Sequence, residues 1–286
     1  MRFAAGLVAR QRRSDCHPAA ATVHLLAEAD RTMIDIHSHV VWGLDDGPTD
    51  MEQSLNMLRA AAQSGTTDIV ATPHSNAEYV YQPELLESRM GELSARTGGN
   101  PRIHRGCDFH LSFDNIDEVL RNPEAYSING KQYLLVECPD FHVGKHTEKV
   151  LQQLMDRGIV PVVTHPERNP VLQRKLSRVE EWVELGCLVQ VTALSIAGGF
   201  GRTALGAAER LLRAGLVHVV ASDAHDPEYR HTRLDEACRI VSLRYGEEAA
   251  DSLFTLNPQA IIDGIPLAGG KQMYEEAVPK HWWHFW

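Results

Sequence analysis

What the chain has little of narrows it first. Its five cysteines (Cys16, Cys107, Cys138, Cys187 and Cys238) are scattered, odd in number and form no CxxC pair. That excludes a zinc ribbon and a disulfide framework, and it fits a reducing compartment. Positive charge is short: 28 Lys and Arg stand against 38 Asp and Glu, a formal net charge of −10. A general nucleic-acid binder would carry a basic surface, so no nucleic-acid partner is expected, while a local basic pocket for phosphate stays compatible. No apolar run has the length of a transmembrane helix. The first apolar stretch is interrupted by Gln11, Arg12 and Arg13 and has no secretory cleavage pattern. The expectation is a cytoplasmic protein without membrane insertion.

What remains is ordinary globular material, 43% hydrophobic and 23% charged over 286 residues, enough for one large α/β domain. Residues 1–32 read as an N-terminal extension without ordered patterning, and Met33 is itself a candidate start. From Met33 to Ala268, β-rich runs alternate with helical ones, with no internal repeat and no linker. Residues 269–286 end in the aromatic tail "HWWHFW". The strand candidates are 33–37, 68–72, 102–109, 133–137, 159–165, 187–192 and 216–223. Between them lie segments such as "MEQSLNMLRAAAQSG" and "ALGAAERLLRAG", with helical spacing and glycine stops. Near-continuous apolar strands alternating with helices predict a parallel sheet covered by helices, and seven such units fit a distorted relative of the (β/α)₈ barrel.

The polar residues collect at one end of these strands. "MIDIHSH" places His37 and His39 two apart, on one face of an extended chain, with Asp45 and Asp46 just beyond. The later strands end in His74, in Asp108 and His110, in Glu137, in His165, and in Asp223 and His225. A satisfied core histidine explains any one of these but not the set. In α/β barrels the carboxyl ends of the strands form the functional face. One structural zinc needs four ligands, and this face offers about nine, so two or three metals sharing carboxylates are expected. Nitrogen and oxygen ligands without thiolates suit manganese, zinc or iron. Closely spaced metals commonly serve displacement at phosphorus. Arg168, three residues after His165, and Arg230 and Arg233, after His225, are phosphate-binding candidates, with Arg168 and Arg230 preferred.

Two other motifs are set aside. "CRIVSLR" (Cys238 to Arg244) has the spacing of a cysteine phosphatase loop but contains no glycine and lies in a helical pattern. "GGFGRTA" does not directly join a strand to a helix, and no Walker-type lysine motif occurs.

The segments "DIHSHVVWGLDDGP", "ATPH", "LVECP", "THPERN" and "ASDAH", in this order, resemble the PHP (polymerase and histidinol phosphatase) superfamily. Within it they are most similar to the manganese-dependent bacterial tyrosine phosphatases of capsule and exopolysaccharide gene clusters. The resemblance spans roughly Met33 to Leu267. It implies a seven-stranded distorted β/α barrel, the PHP fold, with three divalent metal ions, manganese first and iron or zinc as alternatives. Carried onto this chain, it implies that His37, His39 and Asp223 bind the first metal and Glu137 and His165 the second. Asp108 would bridge these two, and Asp46, His74 and His225 would bind the third. Arg168 and Arg230 would hold the phosphate. The choice of Asp46 over Asp45 comes from the resemblance, and Asp108 stands where the family usually has Glu. The implied partner is a tyrosine-autophosphorylated bacterial kinase controlling polysaccharide synthesis. A histidinol-phosphate phosphatase or another phosphoesterase of this superfamily, a non-catalytic metal-bound regulator, and homo-oligomerisation all stay open at this point.

Overall fold

Met33–Ser38 (β1) is buried at all six positions, as a strand covered on both faces must be. The computed structural model describes residues 31–111, 116–140, 143–272 and 274; the extension up to residue 30 and the "HWWHFW" tail lie outside the described residues. After β1 come Met51–Gln63 (α1), Thr66–Ala71 (β2), His74–Ser75 (β3), Pro83–Thr97 (α2), Arg102–Arg105 (β4) and Asp108–His110 (β5). Ile116–Arg121 (α3) and Pro123–Tyr126 (α4) lead to Tyr133–Glu137 (β6), Lys145–Met155 (α5) and Val160–Thr164 (β7). Leu176–Leu185 (α6), Leu188–Thr192 (β8), Ala193–Ile196 (α7), Gly201–Arg213 (α8) and Val219–Ala221 (β9) follow. The chain then runs through Asp235–Tyr245 (α9), Glu247–Asp251 (α10) and a π turn into Asn257–Asp263 (α11).

Local chemistry accounts for the helices. Asp50 caps α1 by accepting the Gln53 amide at 2.9 Å. In α8 the buried residues Ala204, Ala207, Ala208, Leu211 and Leu212 repeat at three and four, which makes one apolar stripe. Cys238 lies buried within α9, so the Cys238–Arg244 spacing follows a helix, as its periodicity predicts.

Every strand pairing is parallel, in a three-stranded sheet (β1-β2-β4) and a six-stranded sheet (β3-β5-β6-β7-β8-β9). Among the described residues there are nine strand segments where seven strands are expected: β3 is a short segment beyond the predicted 68–72, and the predicted 102–109 breaks into β4 and β5. Pro73, which has no amide hydrogen, separates β2 from β3, and Gly106 and Cys107 separate β4 from β5. A Cβ on Gly106 would stand 2.8 Å from Val70 Cγ1, so the close approach requires glycine. The sheets meet through single hydrogen bonds: Asp108 N–H to Pro73 O (3.1 Å), Asp223 N–H to His37 O (2.8 Å) and His39 N–H to Ala224 O (2.8 Å). One isolated bridge, Ser38 to Ala224, links β1 to the end of β9. These ladders do not themselves close a barrel.

The amino ends of the strands are covered by the chain after α11. The Tyr133 hydroxyl donates to Ile265 O at 2.8 Å, and His218 contacts Gly270 O at 3.0 Å. The opposite, carboxyl ends carry the polar cluster.

Candidate metal centre

His37 and His39 leave β1 on the same side and are almost fully buried, with their Nε2 atoms 3.4 Å apart. Each ring is held from behind. His37 Nδ1 lies 3.0 Å from Gln190 Oε1, an acceptor, and His39 Nδ1 lies 2.6 Å from Asp45 Oδ2. With Nδ1 donating, both Nε2 atoms face inward. Asp45 also accepts the backbone amides of Gly47 and His74, each at 3.0 Å. It therefore braces His39 from behind, while its neighbour Asp46 turns to His225 (3.3 Å) and His74 (3.4 Å). The turn is tight: a Cβ on Gly47 would stand 2.5 Å from His39 O.

All nine candidate ligands converge. Their donor atoms form four overlapping groups: His39, Asp46, His74 and His225; His37, His39 and Asp108; His37, His165 and Asp223; and His74, Asp108 and Glu137. Asp108 belongs to two of them, its Oδ2 lying 3.1 Å from His74 Nδ1 and 3.7 Å from His37 Nε2. The shorter carboxylate thus takes part in two donor groups, one with His37 and His39 and one with His74 and Glu137. His165 and Glu137 remain within 3.8 Å of each other. Arg168 and Arg230 both pair with Asp223 Oδ2, Arg230 at 2.7 Å, and Arg168 also lies over the Phe200 ring. Arg233 is drawn off to Asp235.

His165 and Asp223 adopt left-handed backbone at φ 34° and 50°. Such conformations cost of order 1–3 kcal/mol each and persist where the surroundings enforce them. At Asp223 the enforcement comes from buried Asp35, which accepts the Ser222 hydroxyl (2.6 Å) and amide (3.0 Å). After His165, Glu167 accepts the Thr192 amide (3.0 Å) and the Ser195 hydroxyl (2.7 Å), tying the Arg168 turn to α7. Sequence reading missed Asp35, Glu167 and Gln190 as supports. The signal available for Gln190 was a lone amide inside the apolar run "LVQVT".

The electrostatics are those of a centre short of positive charge. Burial drives the pKa of His165 down to about 3 and of His225 to about 4, so both are neutral ligands. Burial also opposes a charge on His39, but Asp45 and Asp223 prevail and lift it to about 10. Burial, reinforced by Asp108 and Asp223, pushes Glu137 well above the usual carboxylate range. Burial alone would raise Asp108 and Asp223, yet the surrounding histidines hold both below it. Asp108 Oδ1 is buried without a hydrogen bond among the described residues, and Asp108 Oδ2, His74 Nδ1 and His225 Nε2 have only ion-pair contacts within the cluster, at 3.1 Å and 3.3 Å. Buried polar atoms are normally satisfied, and divalent cations would satisfy these. The donor set fits divalent metal ions, though His37, His39 and Asp223 do not form one group and neither do Glu137 and His165.

Nitrogen and carboxylate donors at the carboxyl ends of parallel strands, edged by two arginines, define a class: an α/β protein with a histidine–carboxylate centre suited to several metals. Residues 33–263 match the family described as "Capsular polysaccharide synthesis, CpsB/CapC", and the chain belongs to it. The tyrosine-protein phosphatase YwqE of Bacillus subtilis is 33% identical over 224 residues, covering 76% of this chain and 86% of that protein. The tyrosine-protein phosphatase CpsB of Streptococcus pneumoniae is 30% identical over 239 residues, covering 80% and 98%. A crystal structure from work on YwqE and CpsB, described as unique metal-dependent tyrosine phosphatases, matches with a TM-score of 0.76 at 31% identity. It covers 85% of this chain and 97% of that one. A beta-aspartyl dipeptidase from Fervidobacterium islandicum matches with a TM-score of 0.54 at 17% identity, covering 84% and 76%, a likeness of fold alone.

Proposed function

We propose that residues 33–268 form a metal-dependent protein-tyrosine phosphatase, acting on a phosphotyrosine-bearing bacterial kinase in the cytoplasm to control capsule or exopolysaccharide synthesis. The observation that carries this reading is the convergence of nine donors with two guanidinium groups on one carboxylate, in a chain whose relatives are named tyrosine phosphatases. In the finer architecture, the strand lines, continued by the hydrogen bonds between the two sheets, close as a seven-stranded distorted barrel.

Three divalent ions, manganese first, would be held by His37, His39 and Asp223, by Glu137 and His165 together with Asp108, and by Asp46, His74 and His225. Bound divalent cations supply Lewis-acid charge and lower the pKa of water. The chain's own work is positioning. Arg168 and Arg230 are each about a quarter exposed, at 26% and 27%, so they face an incoming phosphoryl group while Asp223 fixes them. Guanidinium forks match phosphate oxygens and neutralise the equatorial charge that develops in the transition state. Asp45 and Gln190 keep His39 and His37 turned inward. No cysteine nucleophile is required, since all four described cysteines are buried and Cys238 belongs to α9.

The test is phosphate release by metal-stripped protein from a phosphotyrosine peptide, with and without manganese, with histidinol phosphate in parallel. Manganese-dependent release from the peptide, lost in Arg168→Ala, is expected. Turnover of histidinol phosphate alone would overturn the substrate, and no turnover of either with metal bound would overturn catalysis.

A further inference from the structure

Beside the centre lies a cavity that the chemistry above does not use. It has about 270 Å³ and is lined by Ser75, Asn76, Ala77, Tyr79, Val80, Tyr81, Glu118 and Tyr126. It adjoins the candidate ligands directly: Ser75 follows His74 in β3, and the Tyr79 ring stacks on the His74 ring at 6.1 Å and 19°.

Its walls are built in advance. Asn76 Oδ1 accepts the amides of Glu78 (2.9 Å) and Tyr79 (2.8 Å), which fixes the 76–79 turn. The Tyr81 hydroxyl donates to Gly106 O at 3.2 Å, and the Tyr81 and Tyr126 rings are 5.2 Å apart. The Tyr126 hydroxyl donates to Glu118 Oε1 at 2.7 Å, and Phe109 in the core backs the Tyr126 ring edge-on. Among the described residues, three tyrosines and one carboxylate therefore line the space, and no lysine or arginine does. Aromatic walls with a carboxylate are the chemistry that recognises a cation with an apolar stem.

We propose that this cavity is a subsite for a lysine or arginine side chain carried by the polypeptide next to the phosphotyrosine. The inference rests on the phosphatase reading and deepens it, naming the substrate as a protein segment with a basic residue near its phosphotyrosine. Charge complementarity selects the occupant: the stem lies against tyrosine faces and the cation meets Glu118. Val80, 75% exposed at the rim, leaves the entrance open.

The experiment uses the manganese-loaded full chain and a set of phosphotyrosine peptides carrying Arg, Ala, Glu or Phe at each flanking position, with free phosphotyrosine as the reference. At one or two positions Arg is expected to lower KM about five- to tenfold relative to Ala, with kcat unchanged. Glu118 is exposed on α3, and Glu118→Gln keeps an acceptor for Tyr126, so this variant is expected to lose the Arg preference while turning over free phosphotyrosine normally. Glu118→Lys is expected to reverse the preference toward Glu. Absence of any Arg preference, its persistence in Glu118→Gln, or a preference for Phe would overturn the subsite. No turnover of free phosphotyrosine would instead remove the phosphatase reading, and the inference with it.

Discussion

At Asp223 one carboxylate serves two sets of partners. Oδ2 takes Arg168 and Arg230, while Oδ1 faces His37 at 3.4 Å and His39 at 3.5 Å. Arg168→Ala is therefore expected to lower kcat/KM on a phosphotyrosine peptide by roughly 10²-fold, the scale of losing one preorganised charge-stabilising donor. Because the two arginines share an oxygen, the Arg168→Ala/Arg230→Ala pair should lose less than the product of the single losses, which steady-state kinetics on the cycle would reveal. The protonation pattern gives a second expectation. In the metal-free protein His39, at about 10, and Glu137, raised by burial, hold protons at neutral pH, whereas His165 and His225 do not. Metal competes with protons on the first two, so apparent affinity should climb as pH rises from neutrality toward about 10, with proton release on binding. Calorimetry in buffers of different ionisation enthalpy measures that release, and none at neutral pH would contradict it. Eight of the nine candidate ligands were legible because each stands at or close to a strand end, whereas Asp46, eight residues past β1, was separated from Asp45 only by the resemblance. Gln190 and Asp35 were not legible, because their partners His37 and Ser222 lie 153 and 187 residues away in the chain.

At the scale of elements, alternation and glycine stops located the long strands and helices, since burial on both faces leaves a continuous apolar run. They did not locate β3 or the split between β4 and β5, because Pro73 and Gly106 act on strands whose flanking residues still read as extended. Gly106 is the joint at which one line of chain leaves the three-stranded sheet for the six-stranded one. A methyl there would meet Val70 Cγ1 at 2.8 Å and Thr72 Cγ2 at 3.0 Å, both residues fully buried. Gly106→Ala is expected to destabilise the metal-free protein by about 1–3 kcal/mol, the usual range for overpacking a filled interior. A urea midpoint unchanged at constant m-value would show that the strands accommodate the methyl. Along α9 the expectation is the opposite: Cys238→Ala should leave turnover within about twofold, and a large loss would return the thiol to the chemistry.

For the whole molecule, the candidate ligands run from His37 to His225, so the centre assembles only when the domain has folded. Folding without metal then brings Asp108, Glu137 and Asp223 together beside five histidine rings, with several of their polar atoms unsatisfied. That arrangement opposes folding, and cations that satisfy it convert binding free energy into stability. At a free concentration one hundred times the dissociation constant, each filled site adds about 2.7 kcal/mol. In a domain of this size, ~1 kcal/mol moves Tm by ~2–4 °C, so each site should contribute roughly 5–10 °C. Stepwise manganese addition to the stripped protein, followed by calorimetric melting, should raise Tm with concentration, and chelation should reverse the rise. A Tm that ignores manganese would mean that these side chains satisfy one another without it, and the case for a metal centre would fall with that result.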